Sequence, residues 1–421
     1  MSSYIATINY VTAAKHVQRV SRQTVDPSRL RPPSRGGRSD EYVVGDVAWT
    51  GIATPDTKNV GESAMEIWMT PHGFLRAAAA NHATSTPTTD GGTEVTFMMG
   101  KHKFVGKINA RNEVQRTHTW IDDPDGVMGD MLCEAAFTGY RDFGGVMFPS
   151  RIVRVEGGKL RLDITVSSVK ANPDVSIPVP EGMRATMVAP VMVTVEKLAD
   201  GVYWMVDPGK FGQWHSVAID QADHIVVVDA PLNEARSLAV IAKVKATIPN
   251  KPIKYLINTH AHFDHAGGLR TYVDEGATIV TMPMNQVFHE KVWRAPHTLN
   301  PDRLSLSKRT PKFESVVNGK HVLSDGRRTI EIHEQAGTGH SDGIVMVYLP
   351  KEKILIQADA WNTQAVAAPN VDTIGGDFVN PYMVNLYDNI LRLKLDVGQI
   401  VPLHGPRTGT LAELRKAILE D

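Results

Sequence analysis

Residues 259–268 read THAHFDHAGG and set His260, His262, Asp264 and His265 close together. Imidazole nitrogens and carboxylate oxygens are the donors that zinc takes, at about 2.0–2.2 Å. No structural role of a loop calls for histidine at this density. A lone HxH pair is common on a solvated loop, whereas the full HxHxDH followed by Ala-Gly-Gly is a much narrower pattern. The apolar run Tyr255-Leu256-Ile257 precedes it. The cluster therefore falls at the C-terminal end of a strand, where open α/β sheets bind ligands. In a loop turning from strand to helix, His260 and His262 can face one point. Asp264 and His265 can turn toward a second point nearby.

Three more residues of ligand type follow apolar runs or precede them. His340 lies in GTGHSDG, just before the run 344–349. Asp359 follows KILIQ at 353–357, and His404 follows QIVPL at 399–403. Taken singly, the two histidines read as surface or capping residues and the aspartate as an N-cap. Taken together after HxHxDH, they complete a nitrogen and oxygen donor set large enough for two metals.

These residues must be positioned by regular elements. From about 190 the pattern alternates strands and helices, as in α/β folds. The runs 224–230, 254–258, 277–282, 329–333, 344–349, 353–357 and 399–403 read as strands. Segments 233–247, 284–293 and 382–395 carry helical spacing of apolar residues. Upstream, 41–185 reads as a mostly antiparallel β unit. Its alternating stretches are 65–69, 94–98, 151–155 and 160–169, with a turn at Glu156-Gly157-Gly158 and another at Pro71-His72-Gly73. The proline-rich stretch 173–182 suits an extended connection. Residues 1–40 include DPSRLRPPSRGGRSD and are expected to form a flexible segment. The expected organisation is thus 1–40, 41–185 and 190–421.

The segment from about 191 to 421 resembles the metallo-β-lactamase superfamily, on the residues just quoted. The resemblance implies an αββα sandwich with the metal site at one edge of two facing sheets. It implies that His260, His262 and His340 hold one metal, that Asp264, His265 and His404 hold another, and that Asp359 bridges them. One large group of zinc β-lactamases has cysteine where Asp359 stands. The only cysteine here is Cys133, so the donor set is closer to the glyoxalase II, lactonase and general esterase branch. The family's loop over the metals corresponds to Trp214-His215-Ser216. Trp214 and His215 are therefore candidate pocket residues, and Trp361 is another because it closely follows Asp359, with ordinary core or loop roles as the alternative. The stretch 284–306 is a further candidate for a substrate wall. The phrase at 140–152, YRDFGGVMFPSRI, resembles LolA-like half-barrels that bind lipophilic ligands.

The cofactor implied is two Zn2+ per chain, with manganese or iron also compatible with the donor types. The expected activity is hydrolysis of an ester, lactone or related acyl bond of a small, hydrophobic substrate. A metal-bridging hydroxide is the expected nucleophile, oriented by Asp264. An iron-dependent oxygenase, a β-lactamase, and a lipophile carrier with a structural metal site remain alternatives. No GxxxxGK[ST] loop offers a competing site.

The 45 Lys and Arg balance 46 Asp and Glu, for a net charge of −1. That balance argues against a nucleic-acid partner. One cysteine excludes an internal disulfide. No run of 18 or more apolar residues occurs, so no membrane span is expected. The N-terminus lacks a signal-peptide pattern, which points to a cytoplasmic protein unless a targeting segment has been removed. A small-molecule substrate is the expected partner. A homodimer is a further expectation, since the first unit must cover one sheet face.

Overall fold

The computed structural model describes residues 3–28, 30–32, 36–52, 54–56, 60–185, 191–208, 214–363 and 380–418. Among these residues, no helix is long and apolar enough to cross a membrane.

The strand Ile225–Val228 is IVVV, with every residue buried. β-Branched residues favour extended backbone, and burial on both faces explains the unbroken apolar run. It pairs in parallel with Ile253–Ile257, which pairs in parallel with Thr278–Thr281. Parallel pairing brings the C-terminal ends of these strands to one edge. Asp229, Asn258 and His260 all lie just beyond those ends. The same sheet adds Thr194–Ala199, Val202–Val206 and Ser216–Asp220 on one side and Phe313–Ser315 on the other, seven strands in all.

A second sheet has five strands: Lys320–Ser324, Thr329–Glu334, Val345–Leu349, Ile354–Gln357 and Gln399–Pro402. Its last two strands are parallel, with Ile356 opposite Val401 and Gln357 opposite Pro402. That register brings Asp359 and His404 to the same edge, each two residues past its strand.

Side chains alternate across each strand. Val226 and Val228 face inward and pack with Trp204, Val345, Val347 and Ile356 between the sheets. Ile225 and Val227 face outward, against Val240 and Val244 of the helix Glu234–Thr247. On the far side Met346, Leu355 and Ile400 pack against Leu386 and Ile390 of the helix Pro381–Leu393. Helix, sheet, sheet, helix is the αββα sandwich.

The upstream β unit is built from two antiparallel meanders. One runs Ser3–Asn9, Ala14–Ser21, Gly37–Val44, Val47–Thr50 and Thr54–Pro55. The other has seven strands, from Thr84–Pro87 to Lys159–Thr165. Glu156-Gly157-Gly158 makes the last hairpin, with both glycines in the left-handed region.

Three expectations need correction. Residues 1–40 are not a flexible segment throughout: Ser3–Asn9 pairs with Ala14–Ser21 from Ser3 opposite Val20 to Asn9 opposite Ala14, and Val17 is fully buried. Lys15, also buried, is neutralised by Glu66. The stretch 65–69 is not a strand but the end of the helix Val60–Met69. Val60, Ala64, Ile67 and Trp68 share one face and pack toward Ile8, Tyr10, Val43 and Ala48. Pro71-His72-Gly73 is not a turn but the first turn of the helix Pro71–Ala80. Thr70 caps it through Gly73 N, and Pro71 occupies the first position, where its missing N–H costs nothing. The expected division near 185–190 falls largely on 186–190, outside the described residues.

Contacts between the upstream unit and the sandwich involve the loop after the helix Pro283–Val292. Asp130 N donates to Pro296 O at 2.8 Å. The Asp130 carboxylate accepts from Thr298 N, Thr298 Oγ1 and Leu299 N at 2.5–3.1 Å. Gly129 closes against the His297 ring, where a Cβ would overlap it. The 294–300 part of the expected substrate wall is thus occupied by a docking contact.

Candidate metal centre

All seven sequence-derived donors converge at the edge shared by the two sheets. His260, His262 and His340 bring their ligand atoms within 4.8 Å of one another, and Asp264, His265, Asp359 and His404 do the same. His340 Nε2 lies 3.2 Å from His260 Nε2 and 3.1 Å from His262 Nδ1. Two nitrogens bound tetrahedrally at about 2.05 Å from one zinc would lie about 3.3 Å apart. His265 Nε2 and His404 Nε2 are 2.9 Å apart. His404 Nε2 lies 3.3 Å from Asp264 Oδ2 and 3.1 Å from Asp359 Oδ1.

Asp359 joins the two groups. Its Oδ2 is 3.2 Å from His260 Nε2, 3.0 Å from His265 Nε2 and 3.4 Å from His340 Nε2. The same oxygen is buried without a well-directed hydrogen bond. A buried carboxylate oxygen ringed by imidazole nitrogens, yet lacking a hydrogen bond, is suited to a cation between them. The donor set therefore fits two metals with Asp359 shared.

Electrostatics leave most of the centre ready to ligate. Burial, reinforced by His265, holds His260 well below the usual histidine range, so it is neutral. Burial would raise Asp359, but the His265 charge beside it, with the His340 and His404 rings close by, holds it well below the carboxylate range. Burial would lower His265, but Asp359 and Asp229 push it well above. His404 rises to about 9 against its burial, through Asp264 and Asp359. The last two hold protons that a cation would displace.

Three ligand-bearing turns, those of the HxHxDH cluster, His340 and Asp359, are held by buried polar side chains that sequence reading missed. Asp229 adopts φ 61° and is fully buried. Its carboxylate accepts from Thr259 N and Thr259 Oγ1 at 2.7 Å and from His265 Nδ1 at 2.6 Å. That bond leaves Nε2 of His265 pointing into the centre. Asn258 Nδ2 donates to the carbonyls of His260 at 2.7 Å and His265 at 3.3 Å, tying one residue of each group together. Gln357 Oε1 accepts from Ala360 N and Trp361 N, fixing the turn that carries Asp359. Asn389 accepts from Ala336 N at 3.1 Å, at the base of the His340 loop. Asp229 carried a signal: it is a carboxylate just past the fully apolar strand Ile225–Val228, as Asp359 lies two residues past the buried strand Ile354–Gln357.

The candidate pocket residues sit differently. His215 is 2% exposed. Its Nδ1 accepts from Asp207 N at 3.2 Å, so Nε2 carries the proton donated to Gly405 O at 2.8 Å. Burial lowers it to about 4, which keeps it neutral. It braces the turn after His404. Trp361 is 7% exposed and packs in the core beside the helix Pro381–Leu393. Trp214 is half-buried and its carbonyl accepts from Arg236 at 2.9 Å. Tyr382 was not singled out by sequence; its ring meets His340 edge-on at 5.3 Å.

A profile described as "Metallo-beta-lactamase superfamily" matches residues 209–418. The chain is 21% identical to a "Metallo-beta-lactamase type 2" of Bacillus cereus, over 57% of this chain and 85% of that protein. It is 26% identical to the "Probable metallo-hydrolase YqgX" of Bacillus subtilis (strain 168), over 38% of this chain and 72% of that protein. A solved structure titled "Metallo-beta-lactamase from Pontibacter korlensis" is 20% identical, with a TM-score of 0.42, over 54% of this chain and 97% of that one. Through residues 209–418 this chain is an enzyme of the metallo-beta-lactamase superfamily.

Proposed function

We propose that this enzyme is a two-zinc hydrolase of an ester, lactone or related acyl bond in a small molecule. The observation that carries this reading is Asp359 Oδ2, buried without a hydrogen bond among His260, His265 and His340. His260, His262 and His340 would hold one zinc; Asp264, His265 and His404 would hold the other, with Asp359 shared. Two zinc ions there supply a water activated near neutral pH and a Lewis acid for the acyl oxygen.

The side chains do the rest. Asp264 is half-buried, and against that burial the bond from His404 at 3.3 Å holds its carboxyl below the usual range, so it is ionised and would orient an attacking water by accepting a hydrogen bond from it. His262 is the exposed member of its group, so substrate approaches past it. Asp229, Asn258, Gln357 and His215 keep the donors fixed, which limits reorganisation as charge develops.

The oxygen and nitrogen donor set, with Asp359 in place of cysteine, supports acyl hydrolysis over β-lactam opening. The likeness to a protein named metallo-beta-lactamase type 2 keeps β-lactam hydrolysis as a second reading. The test is turnover of 4-nitrophenyl esters, simple lactones and a chromogenic cephalosporin by zinc-loaded protein and by His262→Ala. Ester or lactone turnover lost in the variant supports the first reading. Turnover of the cephalosporin alone selects the second.

A further inference from the structure

The chain between the strands Ala14–Ser21 and Gly37–Val44 leaves the upstream sheet and meets the rim of the metal centre. The Leu30 carbonyl lies against Gly339 so closely that a Cβ at 339 would overlap it. Beside it, Arg31 Nε donates to Gly339 O at 2.6 Å. Gly339 immediately precedes His340, and Tyr382 stands edge-on to the His340 ring. Two independent contacts therefore seat residues 30–31 next to a metal-facing histidine.

The Arg31 side chain is exposed, and among the described residues its guanidinium meets no carboxylate at ion-pair distance. Asp26, in the same stretch, accepts from Ser28 N at 2.9 Å, from Ser28 Oγ at 2.7 Å and from the Arg31 backbone, and the Arg31 charge acts on it from beyond ion-pair distance. With Nε spent on Gly339, the terminal guanidinium nitrogens form a planar donor pair. Such a pair suits a carboxylate better than a point charge does.

We propose that Arg31 is a specificity-determining residue that binds a carboxylate group on the substrate while the acyl bond lies at the metals. The word substrate rests on the hydrolase reading; the anion site does not. A carboxylate held at one end by Arg31 leaves the other end of a short chain to reach the donors around His340 and Asp359.

The test is calorimetric binding of succinate and butyrate to the zinc-loaded full chain, as wild type, Arg31→Ala and Arg31→Lys. The two acids share one carboxylate, and only succinate offers a second to Arg31. Wild type is expected to bind succinate about tenfold more tightly than butyrate, the size of one charge-assisted bond. Arg31→Ala should erase that preference and Arg31→Lys should restore part of it. Equal binding of the two acids by wild type, or a preference intact in Arg31→Ala, overturns the proposal. Matched 4-nitrophenyl hemisuccinate and butyrate esters separate the two claims. An Arg31-dependent succinate preference without turnover of either ester upholds the anion site and refutes the hydrolase. Turnover of both esters without that preference does the reverse.

Discussion

Asp229 Oδ2 accepts the Nδ1 proton of His265 at 2.6 Å, and both side chains are closed to solvent. The pair fixes the ring of a histidine whose other nitrogen enters the centre. Metal ligands held this way typically lose 10- to 100-fold in metal affinity or activity when the partner is removed. Asp229→Ala should therefore weaken zinc binding by about 10- to 100-fold, measured by competition with a chromogenic chelator. Asp229→Asn keeps a residue tolerant of the left-handed backbone at φ 61° and should lose less stability than alanine. Unchanged zinc affinity in both variants would show that His265 needs no such partner.

His215 braces the His404 turn through Gly405 O. His215→Phe fills the space but cannot donate to that buried carbonyl. The expected loss of stability is about 1–3 kcal/mol, read by denaturant unfolding of the metal-free chain. A midpoint equal to wild type would mean the turn holds itself.

Glu62 supplies a pH test away from the metals. Burial first, then repulsion from Glu156 and Glu66, pushes it up to about 7. Its reference value is 4.5. Between those values the folded chain keeps a proton that the unfolded chain has released, so stability falls as pH rises through that window. Glu62→Gln should raise the melting temperature at pH 8, with little gain at pH 4.5. An equal gain at both pH values would contradict the account.

Asp130 ties the upstream unit to the sandwich by accepting from Thr298 and Leu299. Asp130→Ala strips three donors of their acceptor and should cost about 2–3 kcal/mol. Limited proteolysis should then cut faster around residues 294–302. An unchanged digestion pattern would place the docking strength elsewhere.

Much of the sandwich was legible because its strands are buried on both faces and read as apolar runs, as in Ile225–Val228 and Ile354–Gln357. The HxHxDH donors were legible from density alone. Less was legible where stability comes from distant partners. Ala14–Ser21 reads as polar, yet Lys15 is buried because Glu66 lies 51 positions away in sequence. The helix Val60–Met69 was hidden because Met65, Ile67 and Met69 also fit a two-residue alternation; its true face includes Val60 and Ala64. Asn258, Gln357 and Asn389 are ordinary amides in sequence. Their role exists only once the fold points them at ligand-bearing turns.

The central claim is a two-metal centre built from seven side chains. Its most direct test is metal titration of the chelator-stripped chain with zinc, followed by elemental analysis after desalting. Wild type should retain two zinc ions per chain, and His404→Ala should retain one. A single ion or none in wild type, or two in His404→Ala, would contradict the account.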